Sequence, residues 1–140
     1  FTRDAAGSWD NQTVSEPHIQ RAPDGKWVLW YMSSNSTASA RNCTEKDEAG
    51  FRSNEIRRMG YAFADSPFGP WTRVGAPLLP PQTDPFHSEV NECNPAVAFH
   101  PSGNGSLVLV YRGGPLNGLG FARAENWRGP YTRILPRLGN

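Results

Sequence analysis

The chain has 140 residues, with 14 Lys and Arg against 13 Asp and Glu, a net charge of +1 and an apolar fraction of 37%. That length fits one ordinary domain with a core of its own, and the balanced charge without a Lys/Arg cluster excludes the electrostatic footprint of a nucleic-acid binder. No apolar run approaches the ~20 residues of a helical membrane span, and the 13 prolines and 14 glycines favour short strands over long helices.

The chain starts at Phe1 with no signal-peptide pattern, the expectation being a processed product or part of a longer polypeptide. Residues 1–16 are polar and read as a loop or an edge strand. His18–Ala22 and Lys26–Met32 follow as strands joined by Asp24-Gly25, a tight-hairpin signal. The unbroken run Trp27, Val28, Leu29, Trp30, Tyr31 suits a strand covered on both faces. Residues 33–58 read as an insertion, Ser/Asn/Thr-rich and then mixed in charge, with Arg52, Arg57 and Arg58 on a solvated face. Met59–Ala64 is a third strand, and Trp71–Val74 a fourth after the Pro67-Phe-Gly-Pro70 turn.

A Pro-rich connector, Pro77–Pro85, leads to four further strands at Ala96–His100, Leu107–Arg112, Leu119–Arg123 and Tyr131–Ile134. These repeat the first set. Gly60-Tyr-Ala-Phe-Ala-Asp-Ser-Pro-Phe-Gly-Pro-Trp-Thr-Arg-Val74 aligns without a gap on Gly120-Phe-Ala-Arg-Ala-Glu-Asn-Trp-Arg-Gly-Pro-Tyr-Thr-Arg-Ile134, and Val28-Leu-Trp-Tyr31 on Val108-Leu-Val-Tyr111. A sustained repeat marks one supersecondary unit used again. Four short antiparallel strands per unit describe a β-propeller blade; a two-sheet sandwich would have no reason to repeat this pattern. The expectation is an all-β chain of four-stranded antiparallel blades. Residues 1–140 would form part of one propeller domain, blade one at about 17–79 with its insertion at 33–58 and blade two at about 95–138. Two blades cannot close a ring of 4–8, so further blades are expected from the same parent chain or from other subunits.

Four glycosylation acceptor patterns, at Asn11, Asn35, Asn42 and Asn104, point to an extracellular, secreted glycoprotein. Cys43 and Cys93 are the only cysteines, which leaves one disulfide or two unrelated buried thiols, the disulfide being the favoured reading.

The segments Ser15-Glu-Pro-His-Ile19, Asp24-Gly-Lys-Trp-Val-Leu-Trp-Tyr31 and Gly60-Tyr-Ala-Phe-Ala-Asp-Ser-Pro-Phe-Gly-Pro-Trp71 resemble successive motifs of glycoside hydrolase family 43. The resemblance covers most of residues 15–135 and implies part of a five-bladed propeller that cleaves arabinose- and xylose-containing glycans with inversion. It implies that Glu16 is the general acid. Inversion also needs a second carboxylate ~6.5–9.5 Å away, which the family takes from an earlier blade. The position matching Glu16 in the second unit is Asn94, and Glu92 lies two residues off register, so no complete triad is visible.

Trp9 and Trp127 have no counterpart in the other repeat and are the surface candidates for sugar stacking, with His18 and Asn94 as further sugar contacts. The other tryptophans and the tyrosines fall on repeated strand positions and read as core. Asp84–Asn94 gathers His87, Glu89 and Glu92 among other donors, and there the resemblance leaves room for a calcium ion. No metal-loop signature is present, so no metal ligand and no other cofactor is assigned. The expected partner is a glycan or polysaccharide. Two other readings stand beside hydrolysis: a non-catalytic extracellular glycoprotein assembling into a coat or filament, and a generic protein-interaction propeller.

Overall fold

The computed structural model describes residues 1–2, 8–11, 13–35, 56–80, 92–113 and 118–134. They form eight strands: β1 Thr13–Arg21, β2 Trp27–Asn35, β3 Ile56–Ala64, β4 Thr72–Arg73, β5 Cys93–Phe99, β6 Leu107–Arg112, β7 Leu119–Ala124 and β8 Thr132–Arg133. Two four-stranded sheets result, β1-β2-β3-β4 and β5-β6-β7-β8, each an antiparallel meander in chain order. The repeat therefore corresponds to two blades.

The first sheet is larger than its sequence suggests. β1 begins at Thr13, and β2 and β3 run on to pair Ser33 with Arg58, Ser34 with Arg57 and Asn35 with Ile56. Ser33 and Ser34 are buried, and Thr13 satisfies them: its Oγ1 lies 2.7 Å from Ser34 Oγ, and its carbonyl accepts from Ser33 Oγ. Cross-strand hydroxyl bonds meet the requirement that buried polar groups be paired. The outer strands β4 and β8 are shorter than expected, two residues each.

Side-chain alternation gives each sheet two apolar faces. On β2 and β3, Val28, Trp30, Met59 and Tyr61 point to the second sheet. They meet the second sheet's Leu107, Leu109, Tyr111, Ala122 and Ala124 in one core, to which Leu78 and Leu79 of the connector also belong. The opposite face of the first sheet carries Leu29, Tyr31 and Ala62, covered by Trp9, Val14 and Trp71. Leu29, Tyr31 and Ala62 match Leu109, Tyr111 and Ala122 in the repeat. Each blade thus turns the same Leu-Tyr-Ala face backwards, as successive wedges about an axis require.

The repeated glycines follow from that face. Tyr31 pairs with Gly60 across β2 and β3, and Tyr111 with Gly120 across β6 and β7. Each tyrosine ring lies over its glycine, so that a Cβ on Gly120 would stand 2.4 Å from Tyr111 ring carbons. Repetition also extends to the turns: Gly69 and Gly129 both have positive φ, and each precedes a cis proline.

Cys93 is a free thiol, 1% exposed at the start of β5. This does not support the favoured Cys43–Cys93 disulfide: Cys93 fits the buried-thiol alternative, and Cys43 lies outside the described residues. Burial, and then the charge of Glu16, push this thiol above its ordinary pKa, against the pull of Arg112 and Arg57.

Two measurements test this packing. Gly120→Ala should lower stability by about 1–3 kcal/mol in thermal or urea unfolding through overpacking, although Gly→Ala in an open strand normally stabilises. A wild-type midpoint would show that the ring-over-glycine contact is not tight. Cys93 should resist iodoacetamide at pH 8 in the folded protein and react on denaturation, because both thiolate and access are scarce. Rapid native alkylation, or a peptide cross-linked to Cys43 in a non-reducing digest, would contradict the buried free thiol.

Candidate functional site

The strongest local departure from regular strand geometry lies at corresponding points of the two blades. On β1 the register moves from Ser15↔Met32 to His18↔Trp30, three residues against two. On β5 it moves from Cys93↔Arg112 to Ala96↔Val110 in the same way. Each strand carries a bulge at an X-Pro pair, Glu16-Pro17 and Asn94-Pro95. Glu16 has φ +52° and Asn94 φ +53°, the only positive values among the described non-glycine residues. Asparagine tolerates the left-handed region through its short polar side chain, whereas glutamate is less at home there. Bulges re-aim side chains, and backbone strain of ~1–3 kcal/mol gathers where a side chain must be held for a purpose.

These two residues meet across the seam. Glu16 Oε2 accepts a hydrogen bond from the Asn94 backbone N–H at 2.7 Å. With the Asn94 amide turned so that its nitrogen faces the carboxylate, Nδ2 lies 2.5 Å from Oε2 and 2.8 Å from Oε1. The other orientation would set the amide oxygen against two carboxylate oxygens, so hydrogen-bond chemistry chooses the first. Glu16 is half-buried and Asn94 exposed, which leaves the pair open to solvent at the strand starts.

Three other carboxylates are committed elsewhere. Asp10, buried ahead of β1, accepts from Tyr31 Oη at 2.8 Å and pairs with Arg73. Glu92, buried ahead of β5, pairs with Arg133, whose Nη1 also donates to the Pro80 carbonyl at 2.7 Å. Arg73 and Arg133 are the repeated Thr-Arg arginines, so that motif is a clamp from the outer strand to the entry of each blade. Burial and then the bond to Asp10 push the Tyr31 phenol far above its ordinary pKa. Asp24 accepts from Trp127 Nε1 and Arg128 Nη1, both at 3.0 Å. Its slight burial opposes the charge, but hydrogen bonds from Trp127, the Lys26 backbone and Arg128 hold it below the ordinary carboxylate value.

The aromatic candidates are placed differently from their sequence reading. Trp127 is 2% exposed and belongs to the seam: its ring packs on Tyr61 and Phe63, so its place as a surface candidate is corrected. It lacks a repeat counterpart because it fills the space between the blades. Trp9 is half-buried, stacked on Tyr31 at 5.9 Å and lying over Gly60. His18 is half-buried against Trp30, with its ring 5.9 Å from that indole. Neither joins Glu16 and Asn94 in a hydrogen bond that the structure records. Among the described residues no group of three or more His, Cys, Asp and Glu could hold a metal, and residues 81–91, with His87 and Glu89, lie outside them.

Sequence reasoning missed the role of Asn94 as the partner of Glu16. The available signal was an X-Pro pair at matching points of two repeats, with an asparagine suited to left-handed backbone.

No family model matches the chain. A curated relative, an arabinoxylan arabinofuranohydrolase of Bacillus subtilis (strain 168), is 37% identical over 82 residues, 58% of this chain and 15% of that protein. A family 117 glycoside hydrolase of the marine bacterium Zobellia galactanivorans superposes with a TM-score of 0.70 at 21% identity, covering 98% of this chain and 36% of its own. A thermostable family 43 glycoside hydrolase superposes with a TM-score of 0.56, also at 21% identity, covering 91% of this chain and 37% of its own. The chain spans little more than a third of those solved structures and about a seventh of the curated relative. Its two four-stranded sheets are blades with the fold of the propeller glycosidases.

Proposed function

We propose that this chain is part of a secreted, N-glycosylated propeller hydrolase acting on arabinose- or xylose-type glycosidic bonds, with Glu16 as general acid. The observation that carries the reading is Glu16 itself: a solvent-reachable carboxyl presented by a left-handed bulge where two blades meet. The local identity to an arabinofuranohydrolase supports the substrate class. In this reading Glu16 protonates the leaving glycosidic oxygen, while a second carboxylate from another blade of the intact protein activates water on the opposite face of the sugar. Arabinan, arabinoxylan and aryl arabinofuranosides are the substrates to try.

The secretory assignment has its best support at Asn104. This residue sits exposed on the β5–β6 hairpin, and its Oδ1 accepts from Ser106 Oγ at 2.7 Å and Ser106 N at 3.0 Å. The acceptor hydroxyl is therefore engaged with the amide to be modified, at an accessible tip. Asn11 is half-buried, the side chain of Asn35 lies outside the description, and so does Asn42.

In the intact protein, Glu16→Gln should lower the release of arabinose from arabinoxylan by about 10²–10⁴-fold, the contribution of a positioned general acid. Equal rates would remove Glu16 from the mechanism. Activity absent from wild type and variant alike would favour the non-catalytic coat or filament reading. Intact mass before and after enzymatic deglycosylation of secreted protein should show a glycan at Asn104; an unmodified Asn104 would count against the secretory assignment.

A further inference from the structure

We propose that Asn94 is the positioning residue for Glu16, a role that rests on the reading of Glu16 as acid and assigns the second blade a task of its own. The geometry is specific. Glu16 Oε2 receives the Asn94 backbone N–H at 2.7 Å and the side-chain Nδ2 at 2.5 Å, whereas Oε1 receives only Nδ2, at 2.8 Å. A protonated carboxyl has one hydroxyl oxygen and one carbonyl oxygen, and only the carbonyl is a good acceptor. Two donors on Oε2 make it the carbonyl and leave Oε1 to carry the proton.

Asn94 therefore fixes both the rotamer of Glu16 and the oxygen from which its proton departs. In the acid step that proton passes from Oε1 to the glycosidic oxygen, the bond to the leaving group breaks, and the resulting carboxylate keeps its three donor contacts. The two matched bulges set the distance. Were either strand regular, the side chains at these points would follow the ordinary alternation and not meet at the strand starts.

This also accounts for an amide where the repeat would admit a carboxylate. An aspartate at 94 would accept the Glu16 proton in a carboxyl–carboxylate hydrogen bond and withhold it from the leaving group. Asparagine supplies donors, adds no charge, and tolerates φ +53°.

The test uses Asn94→Gly and Asn94→Asp in the intact protein. Glycine accepts the left-handed backbone and keeps the N–H donor but removes the side-chain amide. On 4-nitrophenyl α-L-arabinofuranoside, Asn94→Gly should lower kcat about ten- to a hundredfold through loss of orientation. KM should stay within about twofold and the thermal midpoint should not fall. Asn94→Asp should lose at least as much kcat. Wild-type kcat in the glycine variant, or a loss confined to KM, would overturn the proposal, the latter by making Asn94 a sugar contact. A second measurement does not need turnover: in ¹⁵N spectra the Asn94 backbone and side-chain amide protons should exchange slowly, and faster in Glu16→Gln. If the intact protein hydrolyses nothing, the acid reading falls and this spectrum decides the clasp alone. Protected, Glu16-dependent amides uphold it, and freely exchanging ones overturn it.

Discussion

The seam between the two sheets is the contact from which the rest of the structure follows. Trp30 and Tyr61 of the first blade lie against Leu109, Tyr111 and Ala122 of the second, fully or nearly buried. Polar edges of these rings are satisfied within the same seam. Trp30 Nε1 donates to Tyr131 Oη at 2.9 Å, Tyr131 Oη donates to the Trp127 carbonyl at 2.7 Å, and Tyr61 Oη donates to the Arg128 carbonyl at 3.1 Å. Burial of the aromatic bodies supplies the driving force, and the hydrogen bonds fix the angle, since an unpaired indole or phenol inside would be costly. Any sliding of one blade along the other would break this chain of bonds before it separated the apolar surfaces. The same lock holds together the two blades whose matched bulges bring Glu16 to Asn94.

Each blade is closed on itself by a second device, which explains the repeated motif residue by residue. A glycine on the third strand admits the tyrosine of the second strand over its backbone. In blade one the phenol then reaches Asp10, which also binds Arg73 of the outer strand. In blade two Glu92 binds Arg133, and burial together with the charge of Glu92 raises the Tyr111 phenol pKa. Such pairs gain little from simple Coulomb attraction after desolvation, but losing one partner strands a buried charge. Their value here is register: the two-residue outer strand has too few ladder bonds to hold its place alone, and the arginine ties it to the entry segment.

The strand units, their order and their antiparallel pairing were legible because the repeat aligns glycine, alanine, Gly-Pro and Thr-Arg without a gap. Four other features were not. Ser33, Ser34 and Asn35 carry the composition of a loop, and long-range pairing makes strand of them: Ser33 and Ser34 lie opposite Val14 and Thr13 of β1, and all three pair with β3. Trp127 differs between repeats, which suggested a surface role; its neighbours Tyr61 and Phe63 lie more than sixty residues away and are brought to it by the seam. Cys93 falls in the same class, since even cysteine count speaks to pairing in general and not to whether a given thiol is buried. The contact of Glu16 with Asn94 spans 78 residues and two bulges, and local pattern cannot encode it.

The divergence of the repeats is itself informative. Where the blades serve the same structural end they keep the same residues, as at Tyr31 and Tyr111, Gly60 and Gly120, or Arg73 and Arg133. At the bulges they keep the backbone and change the side chain: Glu16 and Asn94 share φ within a degree yet differ in the chemistry they present. A purely structural bulge would gain from glycine or asparagine at both points, because glutamate bears the left-handed conformation at a cost with no packing in return. The cost falls on a residue whose carboxyl reaches solvent, and the tolerant residue stands opposite as donor. Duplicated strand starts have thus been turned into complementary halves of one arrangement, a division that a lone blade could not support.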